Sequence, residues 1–337
     1  MKVRAMPSAR RQRGLTLIEL LVALVIGLLV AIAAVSTLIA GRTGFAAVDI
    51  TGQMVDRERF AMDTLSRVIA QAGFEDISVD PLVTRAIVRR LGGDPEPDLF
   101  GWNDAGYTQP TILQVSTATQ IADGDRDGKC AVNDTSCKNG SDILVVRFQG
   151  SGQPADGTMV NCRGEGEPGL AGSDLDRRAL NIFYTAREAG TGEPALYCAY
   201  YNFGTNAWVA GQPLIEGVES LQVLYGTDNV TPATVPPAAA GNDTIVDRWL
   251  RADQLKVAGN AVATRENWRR VRAVRVGMVL RGPAGSAQER ITASLTPLGA
   301  PYAVTADKGS QLDVPADGRL RRVVNFTIHI RNDLSTR

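Results

Sequence analysis

The sequence predicts an α+β protein in which one long N-terminal helix precedes a β-rich C-terminal region. Two observations predict this class. From Leu15 to Ala40 the chain carries no charge except Glu19, and beyond residue 74 short alternating apolar runs lie between clusters of Gly, Pro, Asn and Asp. The first pattern is typical of a membrane-spanning helix, and the second of strands joined by turns. With 44% hydrophobic and 21% charged residues, the 337-residue chain has the composition of a folded protein with a substantial core.

Residues 1–14 form a basic leader before the apolar run. They hold five of the 36 basic residues and none of the 36 acidic ones, so the remaining chain has a net charge of −5. This charge order is typical of a segment inserted with its N-terminus in the cytoplasm, which predicts that everything after about residue 42 lies outside. No basic excess remains on that exported part, so a nucleic-acid-binding surface is not indicated. The basic residues of the leader are Lys2, Arg4, Arg10, Arg11 and Arg13.

The apolar run, residues 15–40, predicts a transmembrane helix. At about 1.5 Å per residue it is long enough to cross a hydrocarbon layer of roughly 30 Å, and it is longer than the apolar core of a secretory signal peptide. A carboxylate in such a layer costs on the order of 3 kcal/mol on insertion scales, so it is normally kept for a function or met by a partner. An ordinary signal anchor would explain the length of the run but not Glu19.

Residues 41–73 predict an exported amphipathic continuation of the same helix. Apolar residues recur at mostly helical spacing, while residues 56–59 are charged and fall on other faces. Gly73 is the predicted C-terminal stop. The apolar positions are Phe45, Val48, Val55, Leu65, Val68, Ile69 and Ala72.

Residues 74–337 predict a β-rich globular region. The last predicted strand alternates apolar and polar residues, with Val324, Phe326, Ile328 and Ile330 at the apolar positions. This alternation places His329 on the solvent-exposed face of the strand rather than in a catalytic site. Residues 231–244, rich in Pro and Ala, predict a flexible surface loop. The predicted strands begin at Thr111, Asp142, Ala179, Ala195, Val218, Val271 and Arg321.

All four cysteines fall in the exported part, where disulfides form and persist. Their spacing favours the pairs Cys130–Cys137 and Cys162–Cys198, although four cysteines allow three pairings. No CxxC pair is present, so two structural bridges are a better interpretation than redox chemistry.

The stretch DGDRDGKCAVND predicts a calcium loop, with an acidic surface turn as the alternative interpretation. Carboxylates at alternate positions, a glycine, a backbone carbonyl at the seventh position and an acid at the twelfth suit the oxygen coordination of Ca²⁺. The twelfth residue is Asp instead of the usual Glu. The proposed ligands are Asp123, Asp125, Asp127, the backbone carbonyl of Lys129, and Asp134.

The residues RGLTLIELLVALVIGLLVAIAAV resemble the N-terminus of type IV pilins and type II secretion pseudopilins. The resemblance implies that a prepilin peptidase cuts between Gly14 and Leu15 on the cytoplasmic side, methylates the new N-terminus and leaves the apolar helix attached. The family prefers Phe at the first mature position, where this chain has Leu15. The cut would create an ammonium on Leu15, and we expect the Glu19 carboxylate of a neighbouring subunit to neutralise it within the apolar layer.

Blocks further along the chain, including SDILVVRFQGSG, LIEGVESLQVLYGTD, WRRVRAVRVGMVLRG and FTIHIRN, resemble the PilW-type minor pilins. That family implies a long helix packed on an antiparallel sheet, and a role with other minor pilins and the major pilin in a complex that starts pilus assembly and sits at the tip. The chain would be a single-pass inner-membrane protein with a periplasmic C-terminal domain before it enters the pilus.

Two other functions compete with the minor-pilin interpretation. A type II secretion pseudopilin of the J type would share the N-terminus, but the downstream blocks favour the pilus. A membrane-anchored exported enzyme would explain only the topology, because no motif brings a nucleophile, a base and an acid together. The sequence therefore predicts a structural assembly subunit rather than an enzyme, with Ca²⁺ as the single cofactor expected.

Overall fold

The computed structural model describes residues 16–75, 97–107, 139–169, 178–203, 205–237, 243–287, 289–305 and 307–332. The chain divides into two compact units, residues 1–52 and residues 53–337. The described part of the first unit is helical, whereas the described part of the second contains the C-terminal part of the same helix, two main antiparallel sheets, a two-stranded pair and two short α-helices.

Helix α1 spans Leu17–Ala70. Within the second unit its buried residues recur every three or four positions, as expected for a helix with one face against a core. The helix ends three residues before the predicted stop, and a turn over residues 71–73 follows. Gly73 has φ 68°, a left-handed conformation that favours glycine after a helix, and its N–H donates to the Arg147 carbonyl. The buried positions are Met54, Ala61, Leu65, Val68 and Ile69.

In the first unit the apolar residues of the amphipathic pattern lie on the exposed surface of the helix. Phe45 and Val48, which continue the apolar pattern, are 81% and 73% exposed. The periodicity of the sequence identifies a helix face, but burial also needs a neighbouring element within reach of that face.

A five-stranded antiparallel meander runs in the order β1-β2-β3-β4-β5. Its three middle strands are almost wholly buried, and the sequence predicts each of them from its apolar pattern. Strands β1 and β5 were not predicted, because β1 is only four residues long and β5 has only one buried residue and carries Pro213. The strands are Leu99–Trp102, Ile143–Phe148, Ala179–Arg187, Pro194–Asn202 and Ala207–Glu216.

A four-stranded antiparallel sheet has the order β11-β8-β6-β7. Strands β6, β8 and β11 confirm the predicted strands from Val218, Val271 and Arg321. A separate pair, β9 with β10, lies between β8 and β11 in the chain. The bounds are β6 Val218–Thr227, β7 Arg248–Leu250, β8 Val271–Arg281, β9 Ala293–Leu295, β10 Leu312–Val314 and β11 Arg321–His329.

Two short helices, α2 (Ala252–Leu255) and α3 (Ala261–Arg269), precede β8 and were not predicted. Asn260 caps α3, because its side chain accepts a hydrogen bond from the Ala263 N–H. The predicted strand from Thr111 lies outside the described residues.

The described ends of the 231–244 segment are hydrogen-bonded to the body of the second unit. The Ala233 N–H donates to the Gln254 carbonyl, and the Thr244 N–H donates to the Asp228 carboxylate. The Arg270 guanidinium donates to the Pro237 carbonyl at 2.6 Å. The flexibility of this segment stays a prediction, and residues 238–242 lie outside the described part.

Candidate assembly site

The first turn of α1 is closed by reciprocal hydrogen bonds between Thr16 and Glu19. The Thr16 N–H and hydroxyl both donate to Glu19 Oε2 at 2.9 Å, and the Glu19 N–H donates to Thr16 Oγ1 at 3.3 Å. The Thr16 carbonyl accepts from the Leu20 N–H, so Thr16 is the residue that caps the helix. This arrangement is a capping box, in which a Thr and a Glu three residues later satisfy each other's free backbone donors.

The capping box gives Glu19 a role within its own chain that our sequence analysis missed. The pattern Thr-x-x-Glu before an apolar run would have indicated it. Both bonds to Thr16 use Oε2, and among the described residues Glu19 Oε1 has no hydrogen-bond partner. The carboxylate also lies at the positive end of the helix dipole, where a negative charge is stabilising. Gly14 and Leu15, the predicted processing residues, lie outside the described residues.

The N-terminal half of α1 presents an apolar surface to its surroundings on every side. Residues 17–42 have a mean hydropathy of 2.9, are long and apolar enough to cross a membrane, and are all exposed in the isolated chain. The few polar groups are satisfied locally, since the Ser36 hydroxyl donates to the Ile32 carbonyl and the Thr37 hydroxyl to the Ala33 carbonyl. Such internal bonds remove the cost of placing a hydroxyl in hydrocarbon.

The C-terminal end of α1, which belongs to the second unit, is connected to the rest of that unit by hydrogen bonds between side chains and backbone groups. The Gln71 amide makes two bonds with Val160, one to its carbonyl and one from its N–H, each 2.9 Å long. The Asn332 side chain donates to the Ala72 carbonyl at 2.9 Å. These contacts connect the turn that follows the helix to the loop 149–169 and to the segment after β11.

That loop is held to the five-stranded sheet by the disulfide between Cys162 and Cys198, the second of the two pairs favoured by spacing. The Cys162 N–H donates to Asn181 of β3, and the Tyr200 hydroxyl of β4 donates to Glu165 of the loop at 2.7 Å. The bridge therefore acts together with hydrogen bonds to hold irregular chain on the sheet. The other predicted pair, Cys130–Cys137, lies outside the described residues.

A network of three arginines and three carboxylates connects β6, β8 and β11 with the turn before β4. Arg281 contacts Glu193 at 2.7 Å and Glu219 at 3.2 Å. Arg321 contacts Glu219 and Asp317, each at 2.7 Å. Arg319 also contacts Glu193 at 2.9 Å. The network has no net charge, and the hydrogen bonds from Arg321 lower the pKa of Asp317 to about 2.

The predicted calcium ligands, Asp123 to Asp134, lie outside the described residues. Within the part of the chain that the structure describes, no cluster of His, Cys, Asp and Glu could hold a metal ion. His329 lies exposed on β11, as the alternation of that strand predicts. The candidate assembly site consists of the apolar surface of residues 17–42 and the carboxylate of Glu19.

Two families match the chain. The family described as type IV pilus-assembly protein W matches residues 182–332, and the prokaryotic N-terminal methylation motif matches residues 9–35. No curated protein matches. Among solved structures, a type IV-like pilin from Thermus thermophilus matches at 15% identity with a TM-score of 0.31, over 57% of this chain and 80% of that chain. The first match covers β4 to β11 and most of β3, and the second covers the last six residues of the basic leader and the start of α1.

Proposed function

We propose that the chain, which matches the type IV pilus-assembly protein W family over residues 182–332 and the N-terminal methylation motif over residues 9–35, works as a minor pilin, a structural subunit that helps to start pilus assembly at the tip. The observation that carries this proposal is the first half of α1. It combines a match to the N-terminal methylation motif, an apolar surface exposed on all sides and a carboxylate in the first turn. These features serve helix association and no catalytic step, so we assign the protein no enzymatic role.

The proposal includes processing between Gly14 and Leu15 by a prepilin peptidase. The basic leader favours retention of residues 1–14 in the cytoplasm, with the C-terminal unit in the periplasm before assembly. The mature chain would begin at Leu15 with a methylated amine. Mass spectrometry of the membrane-extracted N-terminus tests this step, and a chain that still begins at Met1 in peptidase-competent cells would contradict it.

Glu19 would then serve two partners with its two oxygens. Oε2 remains with Thr16 of the same chain, while Oε1 accepts a hydrogen bond from the N-terminal ammonium of a neighbouring pilin subunit. An ion pair in a low-dielectric layer is stable only when the charges meet closely and their hydrogen bonds are satisfied. Because the capping box already orients the carboxylate, less conformational entropy is lost when the neighbouring subunit binds.

Two matched variants separate these roles. Glu19→Ala removes the carboxylate, which is one half of the capping box and the partner for the amine, whereas Thr16→Ala removes the capping hydroxyl and leaves the carboxylate. We expect both proteins to insert normally, and we expect Glu19→Ala to lose co-purification with other pilins while Thr16→Ala retains most of it. The measurement is affinity purification from detergent-solubilised membranes together with counts of surface pili.

Equal losses in the two variants would mean that Glu19 acts only as a helix cap. Normal co-purification and normal piliation with Glu19→Ala would refute the assembly role of the carboxylate. Glu19→Asp is the control for charge alone, because it keeps the carboxylate but shortens its reach by one methylene.

A further inference from the structure

The two faces of the four-stranded sheet differ in chemistry. On one face Val274, Val276 and Met278 of β8 are fully buried. Arg275 lies between them in sequence and therefore points to the opposite face, in the same row as Leu224 of β6 and Thr327 of β11. Arg275 is partly exposed there, and Thr327 is exposed.

Arg275 is held between two aromatic rings. Its guanidinium carbon lies 4.4 Å from the ring centroid of Trp249 and 5.2 Å from that of Tyr302, distances at which a cation is attracted to an aromatic face. Its Nη1 donates to the Tyr302 hydroxyl at 2.9 Å, and its Nε donates to Thr327 Oγ1 at 3.4 Å. We call Trp249, Arg275 and Tyr302 the arginine clamp.

Two glycines on the same sheet face make room for the clamp. A methyl group at Gly226 would lie 2.9 Å from Val246 Cγ1 and 3.1 Å from Trp249 Cη2, so the absence of a side chain lets Trp249 lie close over β6. A methyl group at Gly277 would lie 2.6 Å from the Pro297 carbonyl oxygen, which brings the segment that leads to Tyr302 down onto β8. The two glycines therefore let Trp249 and the segment that leads to Tyr302 approach the sheet on both sides of Arg275.

The charge of Arg275 is not neutralised within the described part of the chain. Arg281 and Arg321 on the same sheet each contact two carboxylates, whereas Arg275 contacts only hydroxyls and rings. Its Nη2 has no hydrogen-bond partner among the described residues. A guanidinium is a planar fork suited to a carboxylate, and here its orientation is already fixed by stacking.

We propose that the arginine clamp binds a carboxylate side chain, Asp or Glu, on the surface of a neighbouring pilus subunit. Charge complementarity points to an acidic group. The residues beside the clamp point to a protein surface, because Asn325, Thr327 and His329 are exposed along β11, the outermost strand of the sheet. Trp, Tyr and Arg are also the residues most enriched where protein interfaces concentrate their binding energy. The identity of the partner as a pilus subunit rests on the function proposed above.

The test places a photo-crosslinking amino acid at Thr327 of the full chain in piliated cells and identifies the crosslinked peptide by mass spectrometry. We expect a peptide of another pilus subunit that contains Asp or Glu. Arg275→Gln should reduce this product about tenfold or more, since removal of one partner of a close charge pair raises dissociation. Arg275→Lys keeps the charge but loses the planar fork, and it should fall between Gln and wild type.

Arg248→Gln is the matched control, because Arg248 is an exposed arginine beside Trp249 in sequence and no contact of its side chain belongs to the clamp. It should leave the crosslink unchanged. Arg275→Asp combined with an Arg at the identified partner position should restore the product. Thermal unfolding of each variant distinguishes lost binding from lost folding.

An unchanged product with Arg275→Gln, or a product containing only glycan or lipid, would overturn the proposal. A failure of the clamp is separable from a failure of the proposed function. If wild type and Arg275→Gln both co-purify with other pilins through Glu19 but give no subunit crosslink at Thr327, only the clamp is wrong. If wild type does not co-purify with pilins, the proposed function is wrong, and any acidic partner found at Thr327 that depends on Arg275 would still support the clamp.

Discussion

The two halves of helix α1 are both rich in apolar side chains, yet they differ completely in what those side chains contact. In the N-terminal half Leu29 is 61% exposed, and its large apolar neighbours are similarly exposed. In the C-terminal half Leu65 is 0% exposed and belongs to a packed core. One half therefore satisfies its hydrophobic surface within the chain, and the other half needs lipid or neighbouring helices.

This difference shows that hydrophobicity alone does not distinguish folding from assembly. In the C-terminal half, charged residues at positions 56–59 and at Asp63 and Arg67 confine the apolar residues to one face. In the N-terminal half the apolar residues surround the helix, as expected for a segment buried on all sides. The single charge there, Glu19, is held at the first turn, where the helix dipole and Thr16 favour it.

The largest expected effect is the difference in unfolding free energy between a Leu→Ala substitution in one half of α1 and the same substitution in the other half. Leu65→Ala should reduce the free energy of unfolding by about 2–5 kcal/mol, because it removes buried atoms and leaves a cavity. Leu29→Ala should leave it unchanged, since the Leu29 side chain is 61% exposed. The measurement is urea unfolding of the full chain in detergent, followed by tryptophan fluorescence, because all four tryptophans lie in the second unit. Equal losses in both variants would break the comparison.

A second test removes the disulfide of the second unit. Replacing Cys162 and Cys198 by Ser should lower stability by about 2–4 kcal/mol, because the unfolded chain gains the freedom that the bridge restricts. Membrane insertion should not change, since the bridge lies far along the chain from the apolar run. Replacing Cys130 and Cys137 by Ser is the matched control, with an equal or smaller expected loss from the shorter loop. Thermal unfolding measures both, and a mapped peptide that joins Cys137 to Cys162 would contradict the pairing.

A third test uses pH. The hydrogen bonds from Arg321 hold the pKa of Asp317 at about 2, below its ordinary value of 3.8. A lowered pKa means that the ionised carboxylate stabilises the fold, so this contribution is complete above about pH 4 and disappears as the pH falls towards 2. Asp317→Asn should lose about 1–2 kcal/mol at neutral pH and show a weaker decline below pH 4. Unfolding measured from pH 7 to pH 2 tests this, and parallel curves for wild type and variant would refute it.

The smallest expected effect concerns the predicted calcium loop, which remains a prediction from sequence. Calcium should raise the unfolding midpoint of the full chain by mass action, and the double variant Asp125→Ala with Asp127→Ala should remove that rise. Calcium should have no effect on the N-terminal half of α1. Equal midpoints in calcium and in chelator, with no binding by titration, would leave an acidic surface turn.

Local sequence patterns predicted the elements whose burial follows a simple period. Every predicted strand within the described residues is present, because apolar side chains fill its buried face. Strand β5 was not predicted, since only one of its ten residues is buried and its structure depends on pairing with β4. Helix α3 was not predicted because the sequence around Asn260 and Trp268 has no extended apolar face.

The sequence by itself determined the membrane-spanning run, the position of Glu19, the strands that form the core and the favoured partner of Cys162. Each of these depends on residues close together in the chain, where spacing fixes geometry. Only the tertiary structure decided that Trp249 and Tyr302 enclose Arg275, and that Arg321 pairs with Glu219. Those contacts join residues from separate strands and loops. Their proximity depends on strand order, register and the space left by glycines, none of which has a period in the sequence.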